Sequence, residues 1–133
     1  MILVQAENEY GGSTSNDPWP FPDYYYIQYV EDQYRAAGIT VPLISNDSGW
    51  PGGTGAPGSG IHNGSEVIGE WDIWGHDVYI MGFDCSQPDN WPAHLWGQGF
   101  IDYWVTYQSQ ISPTTFDAIA EWQGGTFDPW GGR

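Results

Sequence analysis

Two glutamates are placed to do chemistry together. Glu9 follows a β-rich run over residues 2–7, and Glu121 falls near the end of a second run over 117–123. In a parallel α/β arrangement the C-terminal ends of the strands open onto the site, so both carboxyls are expected at that one end. Nine Trp and nine Tyr surround them in the sequence. Paired carboxyls among aromatic rings are the equipment of retaining glycoside hydrolysis: the apolar face of a sugar stacks on the rings, one carboxyl attacks and the other moves protons. Glu7 lies two residues before Glu9, on the same face of a regular strand. It reads either as a support or sugar contact for the pair or as a structural residue. A noncatalytic carbohydrate-binding module could use the same aromatics, but it would need no carboxyls at strand ends. His62, His76 and His94 are widely spaced and lack the H-x-x-x-H spacing of a metal site. Neither a metal nor a cofactor is expected.

The elements that must position these groups can be read from periodicity. After the first run comes a Gly/Ser/Asn/Pro-rich loop, and then Pro22 opens a helix over 22–37. Ile27, Val30, Tyr34 and Ala37 recur on that helix at spacings of three and four, and Gly38 stops it. A second β-rich run over 39–45 completes a strand, helix, strand unit with short links, the sign of a parallel βαβ connection. Residues 46–70 are rich in Gly, Pro, Ser and Asn and read as one long loop, in tension with a regular βα repeat unless the loop is functional. A third strand is predicted over 71–79, a helix over 98–108 and the fourth strand over 117–123. No G-x-G-x-x-G or P-loop follows any strand, which removes the nucleotide-binding doubly wound fold and leaves a partial α/β barrel.

Composition narrows the partners. The 133 residues hold two cations, Arg35 and Arg133, against 17 Asp and Glu, a formal charge of −15. Such a chain cannot neutralise phosphates, so nucleic acid and anionic membrane surfaces are excluded as partners. No apolar run approaches the roughly 18 residues that cross a bilayer. A single cysteine, Cys85, forms no internal disulfide. Two sequons, Asn46-Asp47-Ser48 and Asn63-Gly64-Ser65, together with the strong acidity, lean towards a secreted protein. Residues 1–4 read as the start of a buried strand and 128–133 as an unclosed loop, so the expectation is a piece of a longer chain.

Motifs sharpen this picture. Gln5-Ala6-Glu7-Asn8-Glu9-Tyr10-Gly11, followed by Ala120-Glu121-Trp122-Gln123-Gly124-Gly125-Thr126-Phe127-Asp128-Pro129-Trp130-Gly131-Gly132, resembles the family 35 glycoside hydrolases. Between them, Gln28-Tyr29-Val30-Glu31-Asp32-Gln33, Val41-Pro42-Leu43-Ile44, Asp72-Ile73-Trp74-Gly75-His76-Asp77-Val78-Tyr79 and Gly82-Phe83-Asp84-Cys85 resemble its secreted fungal branch. The resemblance implies a β-galactosidase built on a TIM barrel, of which residues 1–133 would supply strands four to seven of one catalytic domain. It implies Glu9 as general acid/base and Glu121 as the nucleophile of a covalent galactosyl intermediate. Asn8 would hydrogen-bond the sugar 2-hydroxyl, and Tyr79 would hold Glu121 or the sugar, with core packing as its alternative. The substrate would be a β-galactoside oligosaccharide or polysaccharide, and the disulfide partner of Cys85 would lie beyond this chain. Another retaining glycosidase with a different sugar preference is the neighbouring reading. Tyr79 precedes Ile80-Met81 where the family pattern has a proline-containing turn. Half a barrel leaves sheet edges open, so the chain alone is expected to aggregate and to be inactive.

Overall fold

The structure, a computed structural model, describes residues 1–12, 21–47, 53–78 and 99–122. Its frame is a parallel four-stranded sheet: β1 (Val4–Asn8), β2 (Leu43–Asp47), β5 (Ile73–Val78) and β6 (Ile119–Trp122), in the order β1-β2-β5-β6. Between β2 and β5 lies a small antiparallel hairpin, β3 (Ile61–Asn63) and β4 (Glu66–Ile68). Helix α1 (Tyr24–Ala36) joins β1 to β2, and α2 (Gly99–Ile111) precedes β6. Sequential order and uniform direction are those expected of consecutive βα units, so the α/β reading of the sequence holds.

Element boundaries differ from the expected ones for local reasons. Helix α1 starts at Tyr24 rather than at Pro22, because Asp23 takes the N-cap: its carboxylate accepts the Tyr25 and Tyr26 N–H groups at 3.0 and 3.1 Å. The helix ends as expected, with Gly38 in the left-handed region at φ 83°. The second strand starts at Leu43, after Pro42, and runs on through Asn46 and Asp47, both buried. The sequence from 46 to 70 is not featureless. Gly64-Ser65 joins the paired Asn63 and Glu66, with Gly64 left-handed at φ 65°, a hairpin signal that the loop-like composition hid.

Successive strand residues face opposite sides of the sheet, and the core divides accordingly. Leu43 packs with Ile27 of α1 and Trp71, while Trp74 packs with Ala56 and Tyr107 of α2. Their neighbours Ile44 and Ile73 meet Ala118 in a separate cluster. The hairpin region is tied down by Glu70, whose Oε1 accepts the Gly58 and Gly60 N–H groups at 2.8 Å each, and by the Gly69 N–H on Gln28 Oε1 at 3.0 Å.

Candidate active site

The parallel register sets the site. Asn8 pairs with Asn46 across β1 and β2, and Asp77 pairs with Glu121 across β5 and β6, so polar residues from four strands gather at one end of the sheet. Glu9 follows directly after β1. Its backbone is left-handed at φ 54°, and its N–H donates to the Asn46 carbonyl at 3.1 Å. A non-glycine residue holds this conformation only where its surroundings fix it. One carboxylate oxygen each from Glu9, Asp77 and Glu121 lies within 4.8 Å of the others. The structure thus brings together the two glutamates singled out by the sequence and adds a third carboxyl that sequence reasoning missed.

Asn46 lies beneath this trio. It is 1% exposed, and its amide nitrogen donates to both Asp77 carboxylate oxygens at 2.9 and 2.8 Å and approaches Glu121 Oε1 at 3.4 Å. Its amide oxygen accepts Gln5 Nε2 at 2.7 Å, and Gln5 Nε2 also donates to Asn8 Oδ1 at 2.9 Å. The first sequon therefore cannot carry a glycan in the folded chain: its asparagine is buried and used. The second sequon's Asn63 is exposed on the hairpin.

Burial, first, and then the charges of Glu121 and Glu9 and a hydrogen bond with Glu9 push the Asp77 carboxyl up to about 6, against the opposing pull of the Asn46 amide. Three oxygens this close could share a cation or a proton.

Glu7 goes elsewhere. The register shifts between Gln5 and Glu7, so the strand is not regular there, and the expected shared face with Glu9 is lost. The Glu7 carboxylate instead takes the Tyr26 hydroxyl of α1 and the Asn8 N–H, the latter at 3.1 Å. This contact drives the Tyr26 phenol up to about 12. Asn8 is exposed at the end of β1, beside the carboxyl trio through its pairing with Asn46. Tyr79 and Cys85 lie outside the described residues.

The turns around the site are fixed from the opposite side of β2. Asp47 Oδ2 accepts Trp74 Nε1 at 2.8 Å and the Gly53 and Thr54 N–H groups at 2.6 and 3.2 Å. Gly11 lies so close to Asp47 that a Cβ there would overlap its carboxylate. This packing holds the turn after Glu9 against the loop that follows β2.

Fold and site together define a class: an α/β chain with a parallel sheet whose strand ends bring carboxyls together. The matches to known proteins fall in the same place. The chain is 49% identical over 132 residues to the probable beta-galactosidase A of Emericella nidulans. It is 47% identical over 132 residues both to the beta-galactosidase A of a Penicillium species and to a beta-galactosidase of Aspergillus niger. Each match covers 99% of this chain and 12% of the relative, so the chain spans about an eighth of the length of the proteins it matches. No family model matches. The likeness to fungal β-galactosidases read from the motifs is borne out.

Proposed function

We propose that the chain is the central part, strands four to seven, of the TIM-barrel catalytic domain of a secreted retaining β-galactosidase acting on terminal β-linked galactose. The observation that carries this reading is the convergence of Glu9 and Glu121, with oxygens within 4.8 Å of each other, from the ends of β1 and β6. Carboxyls about 5 Å apart suit direct attack on the anomeric carbon, whereas the inverting path needs roughly 6.5–9.5 Å to admit a water. Support for the sugar comes from the names of the relatives, and support for a longer barrel comes from the small share of those relatives that the chain spans.

In this reading Glu121 attacks the anomeric carbon while Glu9 gives its proton to the departing glycosidic oxygen. The galactosyl–Glu121 ester forms as the glycosidic bond breaks. Glu9, now a carboxylate, takes a proton from water, whose oxygen displaces Glu121 and restores the β configuration. Asn8 holds the sugar 2-hydroxyl, Tyr79 holds Glu121 or the sugar, and Glu7 supports the turn that carries Asn8 and Glu9. The exposed Asn63 suits a secreted glycoprotein, and Cys85 would pair outside this chain.

The test is turnover by the longer protein that carries this segment, with aryl β-galactosides against aryl β-glucosides and the first product followed by proton NMR. Preference for the galactoside with β-galactose released first is expected. Release of the α anomer first, or preference for the glucoside, would overturn the reading.

A further inference from the structure

Asn46 and Asp77 have no part in the steps just described, yet the two reacting carboxyls are built around them. A buried amide or carboxyl is costly unless its bonds are made inside the protein. Here both ends of the Asn46 amide are used: its oxygen takes Gln5 Nε2 from β1, and its nitrogen serves Asp77 on β5 and reaches towards Glu121 on β6. The Glu9 N–H also lies 3.3 Å from Asn46 Oδ1, so the backbone turn that aims Glu9 rests on the same side chain. Asp77, 5% exposed, completes the connection because its carboxyl lies among Glu9, Glu121 and the Asn46 amide. Asn46 thus touches the Glu9 backbone, the Asp77 carboxylate and the Glu121 carboxylate at once.

We propose that Asn46 and Asp77 are positioning residues of the reaction: the Asn46 amide fixes the separation and orientation of the Glu9 and Glu121 carboxyls, and Asp77 is the third carboxyl through which the two are joined. The proposal rests on the reading of Glu9 and Glu121 as the reacting pair. Among the described residues, the groups that face Asp77 are Glu9 beyond β1, the uncharged Asn46 of β2 and Glu121 of β6. His76 lies on the opposite side of the strand, against Gln108 of α2. At acid pH Asp77 is a neutral acid that can donate within the trio, and its ionisation near pH 6 adds a charge between the reacting groups.

Asn46→Ala, Asp77→Asn and Glu121→Gln, made in the longer protein that carries this segment, test the proposal through kcat and KM for an aryl β-galactoside across pH. Asn46→Ala is expected to lower kcat about 100-fold with KM little changed, the size of effect that misplaced reacting groups produce. Asp77→Asn is expected to move the alkaline limb of kcat/KM to lower pH by roughly one unit, because a charge that opposed loss of the last proton has gone. A purely structural role would lower the melting temperature and leave that limb in place. If Asn46→Ala does not fold, the Asp77→Asn limb decides alone, and an unmoved limb overturns the proposal. Glu121→Gln keeps the two levels apart. Retained turnover in that variant defeats the reading of the reacting pair, whereas its loss with an unmoved Asp77→Asn limb defeats only the positioning role.

Discussion

Glu9 is held in a left-handed turn by its own N–H bond to the Asn46 carbonyl, so its side chain is aimed by backbone rather than by packing. Glu9→Gln keeps that backbone and removes only the titratable carboxyl. Its turnover of poor leaving groups should fall about 10²–10⁴-fold, with a much smaller loss in the first step for activated aryl galactosides, as steady-state and burst kinetics would show. Asp77 gives a separate, thermodynamic signature. Its folded value of about 6 stands above the ordinary 3.8, so its bound proton stabilises the fold. That contribution is complete below about pH 3.8, declines through the interval and is gone above about 6. The melting temperature should therefore fall between pH 4 and 7 more steeply in the parent than in Asp77→Asn. Glu9 and Glu121 were legible in the sequence because each falls near the end of a β-rich run, and Asn8 through the family resemblance of the motif that holds it. Asn46 and Asp77 were not. Asn46 read as a sequon, and the strand that buries it was expected to stop at Ser45. Pro42 cannot donate a ladder bond, and the strand lies beyond it, which carries Asn46 into the sheet.

At the level of elements, α1 and the sheet were readable from hydrophobic spacing, and their ends were misjudged wherever a side chain caps or a proline interrupts. The hairpin was missed because three-residue strands leave too little alternation to detect, and its chief signal was a single Gly-Ser step. Its attachment to the helix depends on Gly69, which combines φ 81° with a close approach to the Tyr24 backbone. Gly69→Ala meets both obstacles, since the alanine Cβ disfavours that backbone region and would overlap main chain. Denaturant unfolding of the protein that carries this segment should show a loss of more than about 1 kcal/mol. Gly38, also left-handed but with open space around it, should lose less under the same substitution.

For the molecule as a whole, the sheet order leaves β1 and β6 as edges among the described residues, and the β6 edge carries Ile119 and Trp122, the latter 53% exposed. Edges of this kind invite pairing with another chain. A charge of −15 opposes association at neutral pH and low salt, and that opposition weakens as salt screens it or as pH approaches the sequence pI of about 4.1. Residues 1–133 expressed alone should consequently show salt-dependent self-association by light scattering and no galactosidase turnover. A soluble monomer with a cooperative melt and full turnover would contradict this. The overall layout was visible in the sequence because four β-rich runs recur in one direction with carboxyls at the first and last, whereas the cross-strand network beneath them depends on register, which no single run reveals.

The account turns on Glu121 and Glu9 working on opposite sides of one bond, and covalent trapping tests that directly. The longer protein carrying this segment, treated with an activated 2-deoxy-2-fluoro-galactoside and digested for peptide mass mapping, is predicted to gain one fluorogalactosyl group on Glu121, with the label lost in Glu121→Gln. A label on any other residue, or turnover of galactosides with no covalent adduct at all, would contradict it.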